Sequence, residues 1–544
     1  MAAVLQKFLK DAGFYVFTTR DFMSRVRGGH NFTLIRFGAE PVLSHSDILD
    51  GIIAFDAASL ELHSEKLKQD GFILCDSQFK TEDGRAISLD MLALAKQLGN
   101  VRTIGSIATG VLLRLFNIEP IHVEETLRKY IKEQYLEENK KALLEGYNLV
   151  SARYTAAAKE VKEQIIISGN QALALGAIAG GIRFYSAYPM SPSTTILEYL
   201  SSKSVDASIV VEQAEDEIAA INMAIGASFA GAPAMTGTSG GGFCLKVEAL
   251  GLSGMAEIPL VVANIQRPGP ATGLPTRTEQ SDLKFVISAS QGEFPRMVIA
   301  LRSHRDAFYQ TARAFYMAKK YQLPVILLSD QYLADSYASI EPYDMEQLKY
   351  IQELQNSAEY DPPEGEYLRY KITEDGISPL LIPGKTKNFV TADSDEHSER
   401  GWITEDAEVR NQMMDKRLRK LVKLREELQE PEYIGGEVFE TLILGWGSTY
   451  GPIREAVNCL NQESPGTYGA LIFGDIYPLP EKLLREKAAQ AKKVINMEQN
   501  ATGQLAELVR EKTGIVCDDS LLKYDGRQMS VDEIVRFMRK GVRP

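Results

Sequence analysis

Four acids, Glu212, Glu215, Asp216 and Glu217, crowd the start of the stretch "VVEQAEDEIAAINMAIGASFAGA", Val210 to Ala232. Small apolar residues follow, so the acids stand at the N-terminus of a helix that packs closely on most sides. Two readings are open. Acids favour the positive end of a helix dipole, which needs no ligand. Alternatively Glu217, the last acid before the apolar run, is carried into an interface. There desolvation favours its protonated form and lets it share a proton with a ligand nitrogen. A second stretch, "TGTSGGGFCLKVEALG", puts Gly240, Gly241 and Gly242 at a helix start. Glycines let main chain approach a ligand and present N–H groups, although a tight turn also needs them. No Lys-Ser or Lys-Thr follows at Walker A spacing.

The third candidate is "NIQRPGPATGLPTRTEQSDL", Asn264 to Leu283, after the β-rich run "IPLVVAN". Its three prolines and two glycines predict a rigid loop at a strand C-terminus, where open α/β sheets bind ligands. Arg267, Thr272, Thr276 and Arg277 are the polar groups it offers. A guanidinium matches a carboxylate in a bidentate manner, although surface salt bridges also use arginine. The fourth is "FYSAYPMSPSTTILEYL", where Pro189 and Pro192 flank Ser191. The prolines fix the backbone and remove two N–H donors, while the Ser191 hydroxyl both donates and accepts.

The elements that must hold these residues alternate between strand and helix. "FYVFTT" and "GFILCD" read as strands in a first α/β segment. That segment closes with "VEETLRKYIKEQYLEENKKALLEGYNLV", read as one charged amphipathic helix. "IPLVVANIQ" and "QLPVILLSD", separated by the helix "HRDAFYQTARAFYMAKKY", predict a parallel, doubly wound sheet. Residues from about Ala338 to Glu437 are charged and poor in β-branched runs, so they read as an excursion joining two domains or as a linker. From Phe439 onward "TLILGWGS", "ALIFGD" and "KKVINMEQ" restart the alternation.

The 544 residues carry a net charge of −13, which argues against nonspecific binding to nucleic acid or anionic membranes. Cys75, Cys244, Cys459 and Cys517 stand singly, which disfavours a zinc or iron–sulfur site and favours a reducing, cytoplasmic setting. No apolar run approaches the ~18 residues a membrane helix needs. Gly474-Asp475 with Asn500 downstream imitates a metal–diphosphate motif. However, Ile476 replaces its second glycine, so we read it as a decoy rather than as the metal site of a complete transketolase-like enzyme.

Taken together, the motifs resemble the 2-oxoacid:ferredoxin oxidoreductases. "YPMSPST" resembles their YPITPS motif, "EDEIAAINMAIGA" their Glu-led helix, and "RPGPATGLPTRTEQSDL" their substrate loop. "RYKITEDGISPLLIPG", "DEHSERGWITED", "MEQNATGQLAELVRE" and "YDGRQMSVDEI" extend the likeness through the α subunit. "RDFMSRVRGGHNF" resembles the γ domain that some members fuse in front of it.

The resemblance implies a multidomain α/β chain. A γ-type domain spans 1–160, and a doubly wound pyrimidine-type domain for thiamine diphosphate spans 161–337. The connecting excursion covers 338–437, and a transketolase C-terminal-like domain covers 438–544. Members' γ domains usually open with a strand and a turn such as GGQG. This chain begins at the following helix, which weakens any coenzyme A contact carried by that turn. Arg25, Arg27, Gly28 and Gly29 remain as the expected coenzyme A contacts.

Glu217 matches the glutamate that bonds the aminopyrimidine ring and is the expected catalytic group. Ser191 and Pro192 are expected at the cofactor, and Ser191, Arg267, Thr272 and Arg277 at the substrate. No metal ligand is expected on this chain. The resemblance places Mg²⁺, the diphosphate end of the cofactor and a 4Fe–4S cluster on a partner β subunit. The implied reaction is coenzyme A-dependent oxidative decarboxylation of a 2-oxoacid with reduction of ferredoxin, or its reverse. A γ domain fused before α favours 2-oxoglutarate. Pyruvate, branched-chain oxoacids and a non-catalytic scaffold subunit are the alternatives.

Overall fold

Short β-branched runs bounded by Gly, Pro and Asp become strands, and the stretches between them become helices. The computed structural model describes residues 1–24, 29–156, 163–351, 362–541 and 543. The chain divides into two compact units. The first comprises Met1–Ile167, Ser336–Pro342 and Ser530–Asp532; the second comprises Ser168–Asp335, Tyr343–Met529 and Glu533–Pro544.

In the first unit a four-stranded sheet runs in the order Phe32–Gly38, Tyr15–Asp21, Tyr337–Ile340, Ile165–Ser168. A second sheet pairs Leu49–Ala54, Leu67–Asp76 and Ala86–Leu89 in parallel. The helices Ile104–Leu115 and Leu136–Asn148 pack backbone to backbone. A Cβ on Gly110 would lie 2.0 Å from the Leu143 carbonyl oxygen, and one on Gly146 would lie 2.2 Å from that of Ile107.

One element departs from the sequence expectation. The charged stretch that closes this segment is not one helix. It forms Val123–Arg128, a 3-10 turn at Glu133–Tyr135, and Leu136–Asn148, with Lys132 extended between them. At about 100° per residue, a continuous helix would set Leu127 and Leu136 on opposite faces. The break lets both enter the core.

In the second unit a seven-stranded sheet runs in the order Asp475–Tyr477, Met297–Ala300, Pro324–Asp330, Leu260–Gln266, Ala234–Thr238, Phe184–Ala187, Val210–Gln213. Its neighbours are parallel except at Asp475–Tyr477, an antiparallel edge. Leu260–Gln266 and Pro324–Asp330 are buried along their whole length, as a parallel sheet covered on both faces requires. A five-stranded sheet follows in the order Glu432–Ile434, Tyr468–Phe473, Thr441–Trp446, Lys493–Glu498, Asp519–Leu522. One apolar core, including Phe243, Val262, Ile326, Leu444, Trp446 and Leu471, serves both sheets.

The described residues of the charged stretch from Tyr343 to Glu437 cluster with this unit. Its helix Ala407–Glu426 is polar in sequence, yet Lys416, Arg417 and Lys420 are buried. Lys416 Nζ donates to Glu257 Oε1 at 2.6 Å, and Lys420 pairs with the same carboxylate. Arg369 donates to the Glu257 carbonyl at 2.8 Å, and Arg417 grips Glu396 at 2.7 and 3.0 Å. Burial pushes Glu257 up, but Lys420, Lys416 and Arg369 outweigh it and hold the acid at about 2. Burial draws Lys420 down to about 8 against the pull of Glu257. The charges therefore act here as internal fasteners. Among the described residues no helix is long and apolar enough to cross a membrane.

Candidate functional site

The helix Glu217–Phe229 starts where the acids end. Asp216 is its N-cap, and Asp216 Oδ1 accepts the Ala219 N–H at 2.7 Å. The dipole reading of the acidic cluster thus falls to Asp216. Glu217, the first helical residue, is buried, and its Oε1 has no hydrogen-bond partner. An orphaned buried carboxyl oxygen is costly, and it marks a place for an absent partner.

The glycine triplet exists for this carboxyl and for a second one. It opens the helix Gly240–Met255. A Cβ on Gly242 would lie 2.2 Å from Thr238 Oγ1 and 2.6 Å from Glu217 Oε1, and one on Gly240 would lie 2.6 Å from Asp282 Oδ2. Gly241 faces open space by comparison, with the Ala271 carbonyl at 3.6 Å. The triplet is therefore a cradle between two acids rather than a free tight turn. Asn264 Nδ2 donates to Asp282 Oδ2 at 3.0 Å, and burial pushes Asp282 up against that hydrogen bond.

Lys246 comes from the same helix and is wholly buried. Its Nζ donates to the Glu217 carbonyl at 3.1 Å and to Thr236 Oγ1 at 3.0 Å. Burial draws it down to about 8, against the upward pull of Glu217 and Asp216.

The double-proline turn lies beside this cluster. Thr238 Oγ1 points to Met190 Sδ at 3.9 Å. Asn170 Nδ2 donates to the Pro192 carbonyl at 2.9 Å and to Thr195 Oγ1 at 2.7 Å, which ties the turn to the helix Gly169–Ala179. Pro192 is buried and Ser191 exposed. Arg267 Nη1 donates to the Ser191 carbonyl at 2.6 Å, so the third stretch reaches the fourth. Burial draws the Arg267 guanidinium below its ordinary value.

Thr272 is exposed at the loop tip, between Ala271 and Gly273, both at φ +54°. Arg277 is half-buried and packs near Gly526. The loop is pinned from behind. Gln280 Nε2 donates to the Trp446 carbonyl at 2.9 Å, Asn500 Nδ2 donates to the Gln280 carbonyl at 3.1 Å, and the Thr278 N–H donates to the Gly526 carbonyl at 3.1 Å.

Asp475 and Asn500 are committed to structure. Asp475 takes a two-pronged hydrogen bond from Arg313 at 2.6 and 2.9 Å, and Asn500 Oδ1 caps the backbone N–H groups of Thr502 and Gly503. Among the described residues no three His, Cys, Asp or Glu side chains gather as metal ligands. Arg25, Arg27 and Gly28 lie outside the described residues; Gly29 has φ +92°.

Residues 175–416 match the family model "Pyruvate flavodoxin/ferredoxin oxidoreductase, thiamine diP-bdg", and residues 1–149 match "Pyruvate ferredoxin/flavodoxin oxidoreductase". The 2-oxoacid:ferredoxin oxidoreductase subunit alpha of Sulfolobus sp is 32% identical, covering 100% of this chain and 94% of the relative. The chain belongs to the 2-oxoacid:ferredoxin oxidoreductase α subunits. The Mycobacterium tuberculosis 2-oxoglutarate oxidoreductase subunit KorA is 32% identical, over 92% of this chain and 82% of its own length.

A solved 2-oxoglutarate:ferredoxin oxidoreductase from Magnetococcus marinus, with 2-oxoglutarate, coenzyme A and succinyl-CoA bound, superposes with a TM-score of 0.92 at 32% identity. That match covers 99% of this chain and 96% of the other. As a family member the chain is an oxidoreductase subunit with a thiamine diphosphate-binding region, and the α designation implies a partner subunit.

Sequence reasoning passed over Lys246, Asn170 and Asp282. Lys246 did leave a signal. With Glu248 it is one of two charged residues in a helix otherwise built of small and apolar residues, "GGGFC" and "ALGLSGM" among them.

Proposed function

We propose that this α subunit acts on 2-oxoglutarate. The reaction joins 2-oxoglutarate and coenzyme A, releases CO₂ and a proton, and gives succinyl-CoA while two ferredoxins each take one electron. The substrates bound to the Magnetococcus marinus neighbour and the 2-oxoglutarate relatives support that substrate class. The observation that carries the reading is the buried, unpartnered Glu217 Oε1 in the Gly242 cradle. It fits an aminopyrimidine ring, whose nitrogen would complete the missing hydrogen bond.

When bound, thiamine diphosphate would supply the carbon nucleophile for the keto group of the 2-oxoacid. Glu217 holds and moves a proton at the ring nitrogen. Pro192 supports the ring, and Ser191 turns its hydroxyl to the substrate. Arg267 and Thr272 orient the carboxylate that leaves as CO₂, and Arg277 meets the second carboxylate. Arg25, Arg27, Gly28 and Gly29 serve coenzyme A. Mg²⁺, the diphosphate and a 4Fe–4S cluster belong to the partner β subunit.

Ile218 and Leu245, each exposed, adjoin Glu217 and Lys246 in sequence, Met223 is exposed on the Glu217 helix, and Tyr188 is exposed on the double-proline turn. Exposed large apolar side chains suit a partner that completes the cavity.

The test is reconstitution with the co-expressed β subunit and a ferredoxin- or dye-reduction assay requiring coenzyme A. The expected result is faster reduction with 2-oxoglutarate than with pyruvate. Glu217→Gln is expected to lower turnover by ~10²–10⁴-fold with the complex still assembled. Wild-type rates in that variant would remove Glu217 from its role.

A further inference from the structure

Lys246 is a buried titratable group that the reaction above does not use, yet two of its hydrogens are committed. Nζ bonds the Glu217 carbonyl at 3.1 Å and Thr236 Oγ1 at 3.0 Å. The carbonyl belongs to the first turn of the helix that carries the Glu217 carboxyl, and Thr236 belongs to the strand Ala234–Thr238 beneath it. The lysine therefore bridges a strand, its own helix and the helix of the proposed catalytic acid.

We propose that Lys246 is the positioning residue of Glu217: it ties the helix turn that carries the carboxyl to the strand Ala234–Thr238, and so aims that carboxyl at its ligand. The inference rests on the functional reading above. A satisfied structural lysine is the competing account, and it leaves the charge without a purpose. An apolar side chain of similar length would fill the same space without burying an ammonium.

The chemistry asks for more than space filling. A carboxyl that must meet a ring nitrogen needs its helix turn held in place, and an ammonium bonded to acceptors on two elements at once does what an apolar filler cannot. The charged groups acting on Lys246 are Glu217 and Asp216, both at the start of the facing helix. Burial opposes their pull, which keeps the lysine near 8 and its charge within reach of cellular pH.

The test uses the full complex with its β subunit, stripped of thiamine diphosphate. Calorimetric titration at pH 7 reads the affinity for thiamine diphosphate, and steady-state dye reduction on the reloaded complex reads kcat and KM separately. Lys246→Met and Lys246→Gln are each expected to lower the affinity and kcat ~10-fold while the KM for 2-oxoglutarate and the assembly of the complex stay in place. Either variant alone suffices if the other does not fold.

Thr236→Val, which keeps the bond to the Glu217 carbonyl and removes one of the two acceptors, is expected to cost less than either lysine variant. Unchanged affinity and kcat in the folded lysine variants, or a rise in KM that matches the fall in kcat, overturns the proposal. A wild-type complex that binds no thiamine diphosphate overturns the functional reading itself, and this inference with it.

Discussion

Glu257→Gln keeps the shape of a buried side chain and removes its charge. In the wild-type chain that carboxylate faces Lys416 at 2.6 Å, Lys420 and Arg369, all buried. Breaking a buried ion pair costs about 3–5 kcal/mol, because the partner stays charged and alone. The acid lies at about 2, below its ordinary value, although burial pushes the other way, so the cations outweigh desolvation. The lower end of that range, about 3 kcal/mol, is the expected loss near pH 7.

The sign of the pH dependence separates this account from simple damage. The Glu257 contribution is complete above pH 4.5 and is lost as pH falls toward about 2. Lys420 behaves oppositely. Held at about 8 when folded, it raises stability as pH climbs from about 8 toward its unfolded value. Without Glu257 the lysines discharge in the folded state at lower pH. The unfolded chain then binds more protons near neutrality, and stability rises by up to ~1.4 kcal/mol per pH unit for each discharged lysine. Scanning calorimetry of the assembled complex from pH 6 to 9 is the assay. The expected result is a melting temperature about 5 °C lower at pH 7, with the gap closing toward pH 9. A gap that ignores pH, or no gap, would mean that these ammonium groups are solvated.

Other perturbations read the site directly. Gly242→Ala places a methyl 2.6 Å from Glu217 Oε1 and 2.2 Å from Thr238 Oγ1, so it is expected to displace the carboxyl. Calorimetry should then show thiamine diphosphate affinity falling at least ~10-fold while the complex still assembles, a difference of about 1.4 kcal/mol. Arg267→Lys keeps the charge but loses the planar fork, and it is expected to raise the KM for 2-oxoglutarate ~10-fold or more, measured by steady-state dye reduction.

The sheets were legible because their strands are continuous β-branched runs. "IPLVVANIQ" and "QLPVILLSD" became fully buried neighbours, and "HRDAFYQTARAFYMAKKY" became a helix from His304 to Tyr321. The break between Arg128 and Leu136 was not legible. Charge periodicity continues across it, and only the placement of Leu127 and Leu136 in the core requires it.

The excursion misled for a related reason. Lys416 and Lys420 look solvated in a local window, because their partner Glu257 stands far away in sequence. Glu217 was visible as the acid that meets the apolar run. The capping role of Asp216, which completes its separation from Glu217, was not, since a one-residue difference in helix position decides which acid caps.

That separation carries the functional argument further than any motif. Helix capping explains one acid, and Asp216 does it, through a 2.7 Å bond to Ala219. A tight turn explains glycines, but two of these three are pressed by side chains: Gly242 by Glu217 and Thr238, and Gly240 by Asp282. A satisfied core lysine explains Lys246, but its nitrogen is bonded to the backbone of Glu217. Each feature has a plain structural account, and each account carries a cost: an orphaned oxygen, a run of flexible glycines, a buried ammonium. On the proposed function one ligand accounts for all three: a ring nitrogen bonded to Glu217 Oε1 would turn the orphan into a bond, the glycines into clearance and the lysine into the tie that aims the carboxyl.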